Sequence, residues 1–423
     1  MSVPSEGTAG LYRRRGTVGA PAPTYSRAMT PALAVQTDWV HLQYEERAAF
    51  TETYGFAGNQ GAVNLEGIRF RPAGKPSDTL MVFMHPASTL QLLPVPRAMA
   101  ETGAHVLCAG SRYQRNDTAL IMEKVFLDLG AYIRHAKEVW GYKQVVLVGW
   151  SGGGALAVSY QAEAENPGIT HTPAGDPVDV AGAGLVPADG IMLLAAHVSR
   201  AVILTEWLDP SIADERDLSR RDASLDLYNG TAKAPFSAEL VARFRAAQVE
   251  RSRRITTWVK ASLAKRIQED GPGAELAFVV HGTMADPRWL DASLEPNERE
   301  PGTCYLGDPR IVNMGPVGLA RFSTLRSWLS QWSIDESRAN GSINGRRVSC
   351  PVLVVGNGAD NACPPSHTQR LFDAIPHADK ELHVIRGAGH YYAGQAEKAR
   401  EAVALCTRWM VAHGFAPERM LGG

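Results

Sequence analysis

Val145-Val146-Leu147-Val148-Gly149-Trp150-Ser151-Gly152-Gly153 is the stretch on which the fold turns. A short, wholly apolar run ends in G-x-S-x-G, and Ala155 to about Glu165 then continues as helix. An apolar run of this length, bounded by glycine, reads as a strand buried on both faces. A serine on a sharp strand-to-helix turn is held in strained backbone geometry, where bulky neighbours two residues away on either side would clash. Glycine at 149 and 153 removes those clashes and leaves the Ser151 hydroxyl pointing into a cleft. The N–H of Gly152 then stands at a helix N-terminus, where it can stabilise an oxyanion.

Outward from this elbow the same rhythm repeats. Leu80–Met84 and His105–Ala109 are further apolar runs, a helix is expected over about 117–139, and Ile191–Ala196 supplies the next strand. Continuous apolar strands with helices between them predict a parallel α/β sheet. Ahead of it, Trp39–Leu42 and Val63–Phe70 are strand-like, and the second alternates apolar and polar residues as an exposed antiparallel edge strand does. Residues 1–36, rich in Pro, Gly, Ala and Ser, read as a flexible arm.

The rhythm breaks near residue 200 and resumes at Pro351-Val352-Leu353-Val354-Val355, followed by a helix at about 366–375, a strand at 381–385 and a helix at about 395–413. Within the interruption, Ser237 reads as an N-cap flanked by a hydrophobic staple of Phe236 with Val241. The helix it opens is expected to run to Asp270, where Gly271-Pro272-Gly273 stops it. Arg251, Arg253 and Arg254 on that helix are expected to form a solvated face. Core strands flank the interruption on both sides, so the domains are assigned as arm 1–36, core 37–200, cap 201–348 and core 349–423.

Ser151 needs a base. Of the twelve histidines, His390 stands in Gly387-Ala388-Gly389-His390 just after the last strand, on the sheet edge that carries the elbow. His383 lies inside that strand and reads as a packing residue. The orienting acid belongs past an earlier strand, and Asp360 in Gly356-Asn357-Gly358-Ala359-Asp360 meets that requirement. Glu206 and Asp209, after the sixth strand, are the other acids to weigh. The chain order is Ser, Asp, His.

With these residues in place, segments 60–200 and 349–414 resemble the α/β-hydrolase superfamily. The resemblance implies an α/β-hydrolase fold, a mostly parallel eight-stranded sheet with a mainly helical cap inserted after strand six. It carries nucleophile, acid and base onto Ser151, Asp360 and His390, and implies a second oxyanion donor on the loop after the third strand. That loop reads His85-Pro86-Ala87-Ser88 where the family often has His-Gly. Pro86 has no N–H, so Ala87 is the candidate donor beside Gly152, with Ser88 close behind and His85 ordering the loop.

These residues predict cleavage of an ester, thioester or lactone bond in a small, largely hydrophobic molecule, through an acyl-enzyme on Ser151. Acyl transfer to an acceptor other than water, as in the homoserine acetyltransferase group, and carbon–carbon bond hydrolysis use the same triad. A non-catalytic ligand-binding role is the remaining alternative. Trp150, Ser88, Phe322 and Trp328 are assigned to the substrate pocket, the last two because aromatic and small hydroxyl residues mingle through 313–332.

Composition bounds the rest. The 423 residues are 45% hydrophobic and 21% charged, enough to bury a full core. Forty-three basic against forty-four acidic residues leave a formal charge of −1, no footprint for nucleic acid or an anionic membrane. Five scattered cysteines without CxxC spacing read as reduced thiols. Arg13-Arg14-Arg15 precedes no apolar export segment, and no stretch reaches the roughly 20 apolar residues of a membrane span. The expectation is a cytoplasmic protein with a small-molecule substrate, compatible with a homo-oligomer. With no P-loop, dinucleotide fingerprint or metal cluster, neither cofactor nor metal is expected.

Overall fold

The apolar runs become the inner strands of one eight-stranded sheet. The structure, a computed structural model, describes residues 33–46 and 62–416. The sheet contains β1 (Val35–Glu45), β2 (Ala62–Pro72), β3 (Thr79–Met84), β4 (His105–Ala109), β5 (Gln144–Trp150) and β6 (Gly190–Leu194). After an insertion carrying the short strands β7 (Ala277–Val279) and β8 (Phe322–Thr324), it closes with β9 (Val352–Asn357) and β10 (Lys380–Ile385). Strand order is β1-β2-β4-β3-β5-β6-β9-β10. β2 runs antiparallel to both its neighbours, and every pairing from β4 to β10 is parallel.

Alternate residues of the inner strands serve two cores. Leu80, Val82, Leu147, Leu193 and Val354 face α2 (Met122–Glu138), α3 (Gly152–Glu165) and α6 (Pro365–Ala374). Met81, Phe83, Val146, Val148 and Leu353 face α1 (Pro94–Glu101) and α7 (Ala396–Ala412). Helices on both faces explain why these strands are apolar without alternation. Each fully buried Val or Leu contributes about 1.5–3 kcal/mol, so the sheet holds its register strongly.

The alternating stretch 63–70 is not an edge strand. It lies within β2, which bonds β1 on one side and β4 on the other, and the edge is β1, whose Trp39 is 64% exposed. Its alternation reflects a margin of the sheet with one wetter face. The expected arm 1–36 lies outside the described residues as far as residue 32, and β1 already begins at Val35.

Residues between β6 and β9 form the insertion. Its spine is α5 (Ala238–Asp270), about 50 Å long at 1.5 Å per residue. Ser237 Oγ accepts the Leu240 N–H at 3.2 Å, and Phe236 and Val241 join one apolar cluster, as a staple requires. α4 (Arg200–Trp207), α5 and residues 325–332 enclose a core of Leu204, Val259, Trp328 and Trp332. Arg251 is not solvated: it is fully buried, its guanidinium bonded to Glu215 and to the carbonyls of Asp209, His281 and Gly282. Arg253 and Arg254 do stand at the surface, paired with Asp335 and Glu215. The insertion is tied to the sheet side through Ser330, whose hydroxyl accepts the Met122 N–H at 2.8 Å and donates to Glu123 at 2.7 Å. Among the described residues no helix is long and apolar enough to cross a membrane, and all five cysteines are buried and free.

Candidate active site

At the carboxyl end of β5 the chain turns into α3 within one residue. Ser151 carries that turn at φ 53° and ψ −121°, a region L-residues rarely occupy. Its side chain makes no capping bond to the helix it precedes. The crowding inferred from the motif is present on both sides. A Cβ on Gly149 would stand 2.4 Å from the Gly153 carbonyl oxygen, and one on Gly153 would stand 2.3 Å from that of Met84. Gly152 opens α3, so its N–H has no carbonyl one turn back to bond.

His390 reaches the same place from the loop after β10. That loop is braced: Asn357 Nδ2 donates to the Gly389 carbonyl, Tyr392 donates to Asn357 Oδ1, and Gln395 Oε1 accepts the Gly389 N–H. His390 Nδ1 lies 2.9 Å from Asp360 Oδ2, both side chains almost wholly buried. Asp360 Oδ1 accepts the N–H groups of Ala362 and Cys363, each at 2.8 Å. With both carboxylate oxygens occupied, the acid is fixed in position and orients the imidazole. Glu206 and Asp209 are engaged elsewhere, Glu206 with His367 and Arg288, Asp209 with Arg221, Asn313 and Ser211.

Strand order, the strained serine between β5 and α3, and the Asp–His pair past β9 and β10 together decide the architecture. The chain has the α/β-hydrolase fold. No family model matches the chain. An uncharacterised 31.7 kDa protein from the traX–finO intergenic region of Escherichia coli is 34% identical over 67 residues, which are 16% of this chain and 23% of that protein. The chain thus spans about a quarter of that relative's length. Among solved α/β-hydrolase-like structures, the monoacylglycerol lipase of Paleococcus ferrophilus is 15% identical with a TM-score of 0.43, covering 82% of this chain and 99% of its own. The α/β hydrolase GrgF of Penicillium sp. sh18 is 13% identical with a TM-score of 0.46, covering 88% and 99%. An esterase of Thermogutta terrifontis is 14% identical with a TM-score of 0.41, covering 88% and 99%. Substrate and mechanism do not carry over to this α/β-hydrolase fold at such identities.

Ser151 and His390 open on a cavity of about 560 Å³, within the usual range for a small-molecule site. Trp150 lines it, its ring 4.5 Å from that of His390 and 5.2 Å from that of Tyr391. Ala87 and Ser88 line it as well. Phe322 and Trp328 do not. Phe322 projects outward at 51% exposure, and Trp328 is sealed in the insertion's own core with its indole N–H on Thr256. The insertion's contribution comes instead from Trp207, Tyr305 and Leu319, and a further charged element from Arg200 paired with Asp117. Periodicity within 313–332 separated buried from exposed positions poorly, because the helical turns there are only a few residues long.

The loop after β3 also differs from expectation. Ala87 and Ser88 point their N–H groups at His85 Nδ1, at 3.1 and 2.8 Å. The ring orders the loop, as its position implied, but both candidate backbone donors are thereby engaged. Two further groups escaped sequence reasoning. His197 lines the cavity just past β6, and burial holds its pKa well below the ordinary value; a polar residue ending the apolar run 191–196 was the available signal. Cys363 sits with Asp360 and His390, their polar atoms all within 4.8 Å, and burial followed by Asp360 pushes its thiol well up while the Ser151 hydroxyl opposes this. Among the described residues no hydrogen bond joins Ser151 Oγ to His390. Such contacts tighten in complexes with substrate.

Proposed function

We propose that this chain is a serine hydrolase that cleaves an ester, thioester or lactone of a small, largely hydrophobic molecule. One observation carries the reading: a strained, uncapped Ser151 shares a cavity with a buried His390 whose Nδ1 is held at 2.9 Å by Asp360. With Nδ1–H committed to the carboxylate, Nε2 keeps the lone pair that a general base needs. His390 takes the Ser151 proton as Oγ attacks the carbonyl carbon, and Gly152 N–H meets the oxyanion. Collapse expels the alcohol or thiol, which receives the proton from His390. Water then repeats the sequence on the acyl-enzyme and frees Ser151.

The insertion acts as a cap in this reading. Trp207, Tyr305 and Leu319 line the cavity together with Leu90, Leu93 and Trp150. A cap that limits water at the site strengthens the electrostatic terms acting on the oxyanion. The Asp117–Arg200 pair adds a charged element to a wall that Arg115, Ser88 and His197 also line. Short p-nitrophenyl esters are suitable probes. Ser151→Ala should fold normally and lose nearly all turnover; retention of more than a few per cent would rule out Ser151 as nucleophile.

A further inference from the structure

We propose that the His85 side chain, through Nε2–H, is the second oxyanion donor of this site, in the role the backbone of the following loop would otherwise fill. The inference rests on the Ser151 reading above. Pro86 has no N–H, and those of Ala87 and Ser88 both end on His85 Nδ1. Recruiting either for an oxyanion would break a bond that orders the loop.

Those same two bonds define what His85 offers. A nitrogen that accepts two N–H groups carries no proton, so a neutral ring must carry its proton on Nε2. Burial, then Arg200, holds its pKa well below the ordinary histidine value, in keeping with a neutral ring. Among the described residues Nε2 has no hydrogen-bond partner, and His85 lines the cavity with Ser151. An unpartnered donor on a residue that lines a cavity is open to a ligand's acceptor.

Position agrees. Nε2 lies 2.7 Å from where a Cβ on Gly152 would stand. Ordinary bond lengths then put Nε2 no more than about 5.7 Å from the Gly152 amide nitrogen. Two donors that close can both reach one oxygen at about 2.7–3.1 Å. His197 Nε2 stands farther from the same point, at 3.4 Å, and its Nδ1 has no partner among the described residues to set its tautomer. His85 is the ring whose proton is placed by its bonds.

The two roles of His85 can be separated by amide side chains. His85→Asn puts an acceptor near the Nδ1 position, so the Ala87 and Ser88 bonds can persist, but nothing reaches the Nε2 position. His85→Gln extends an N–H donor toward the Nε2 position and gives up the loop acceptor. The measurement is the rate at which a fluorophosphonate modifies Ser151, since that reaction also builds negative charge on an oxygen in the hole and needs no known substrate. Near-ultraviolet dichroism checks the folding of each variant. The expected result is a loss of roughly 10²–10³-fold in His85→Asn, with His85→Gln at least tenfold faster than His85→Asn. Labelling of His85→Asn at the wild-type rate, or equal losses in both folded variants, overturns the inference while leaving the nucleophile in place. Absence of a Ser151 adduct in the wild-type protein overturns the nucleophile reading and this inference with it.

Discussion

Asp360→Asn isolates what the buried acid does. In the wild-type protein Oδ1 accepts two backbone N–H groups and Oδ2 faces His390 Nδ1, in a site 2% exposed. Asparagine keeps its oxygen on the two backbone donors, because the flipped amide would set its NH₂ against them. The amide N–H groups must then face His390, so Nδ1 becomes an acceptor and Nε2 carries the proton. That tautomer cannot take a proton from Ser151. Restoring the useful tautomer sets two buried N–H groups against each other, at about 1–3 kcal/mol each. The lost carboxylate also no longer stabilises the imidazolium that the proposed attack would form. Together these approach the roughly 10⁴-fold loss known for such a change in another serine enzyme, about 5.5 kcal/mol. The assay is kcat/KM on p-nitrophenyl butyrate, with the urea unfolding midpoint as the control for folding. A loss of less than tenfold in a folded variant would refute the assignment of Asp360.

Three further outcomes follow from the geometry. Gly153→Ala would press a methyl against the Met84 carbonyl at 2.3 Å and should destabilise the fold by about 1–3 kcal/mol in urea unfolding; an unchanged midpoint would contradict the close approach of β3 to the elbow. Leu319→Ala should raise KM for short esters several-fold while Phe322→Ala leaves both kinetic constants alone, and the reverse would restore Phe322 to the pocket. Glu123, fully buried with Oε1 unpartnered among the described residues, has its pKa raised by burial from an ordinary 4.5 to about 6. Because the folded-state value is the higher, its contribution is full below pH 4.5 and lost as the pH climbs through 6. At 1.36 kcal/mol per pKa unit the difference in unfolding free energy between Glu123→Gln and wild type should move by about 2 kcal/mol toward the variant from pH 4.5 to 7; a difference independent of pH would contradict it.

The elbow was readable from the sequence because its physics is local. An apolar run buried on both faces, two glycines and a serine specify strand, turn and helix within about ten residues. Asp360 and His390 were readable from topology, since parallel strands place all their carboxyl ends on one edge. Ser237 and the helix to Asp270 were readable from capping chemistry. What resisted was the direction of side chains on short elements. Trp328 and Phe322 are six residues apart, yet one is sealed in a core and the other faces outward, and no period runs long enough to tell them apart. Arg251 looked solvated because it is charged, but three backbone carbonyls and Glu215, brought together by the fold, satisfy it in the interior. The His85 loop failed for a similar reason. Pro86 showed which amide was missing, while the bonds that engage the next two exist only once the ring has folded over them.

If Ser151 is an activated nucleophile, covalent capture will find it there. The protein should be treated with a fluorophosphonate near neutral pH, digested, and its adduct located by peptide mass spectrometry. The expected result is one adduct per chain on the peptide carrying Gly149-Trp150-Ser151-Gly152-Gly153, abolished by Ser151→Ala and strongly slowed by Asp360→Asn. A folded protein that takes up no label, or takes it on another residue with Ser151 unmodified, would contradict it.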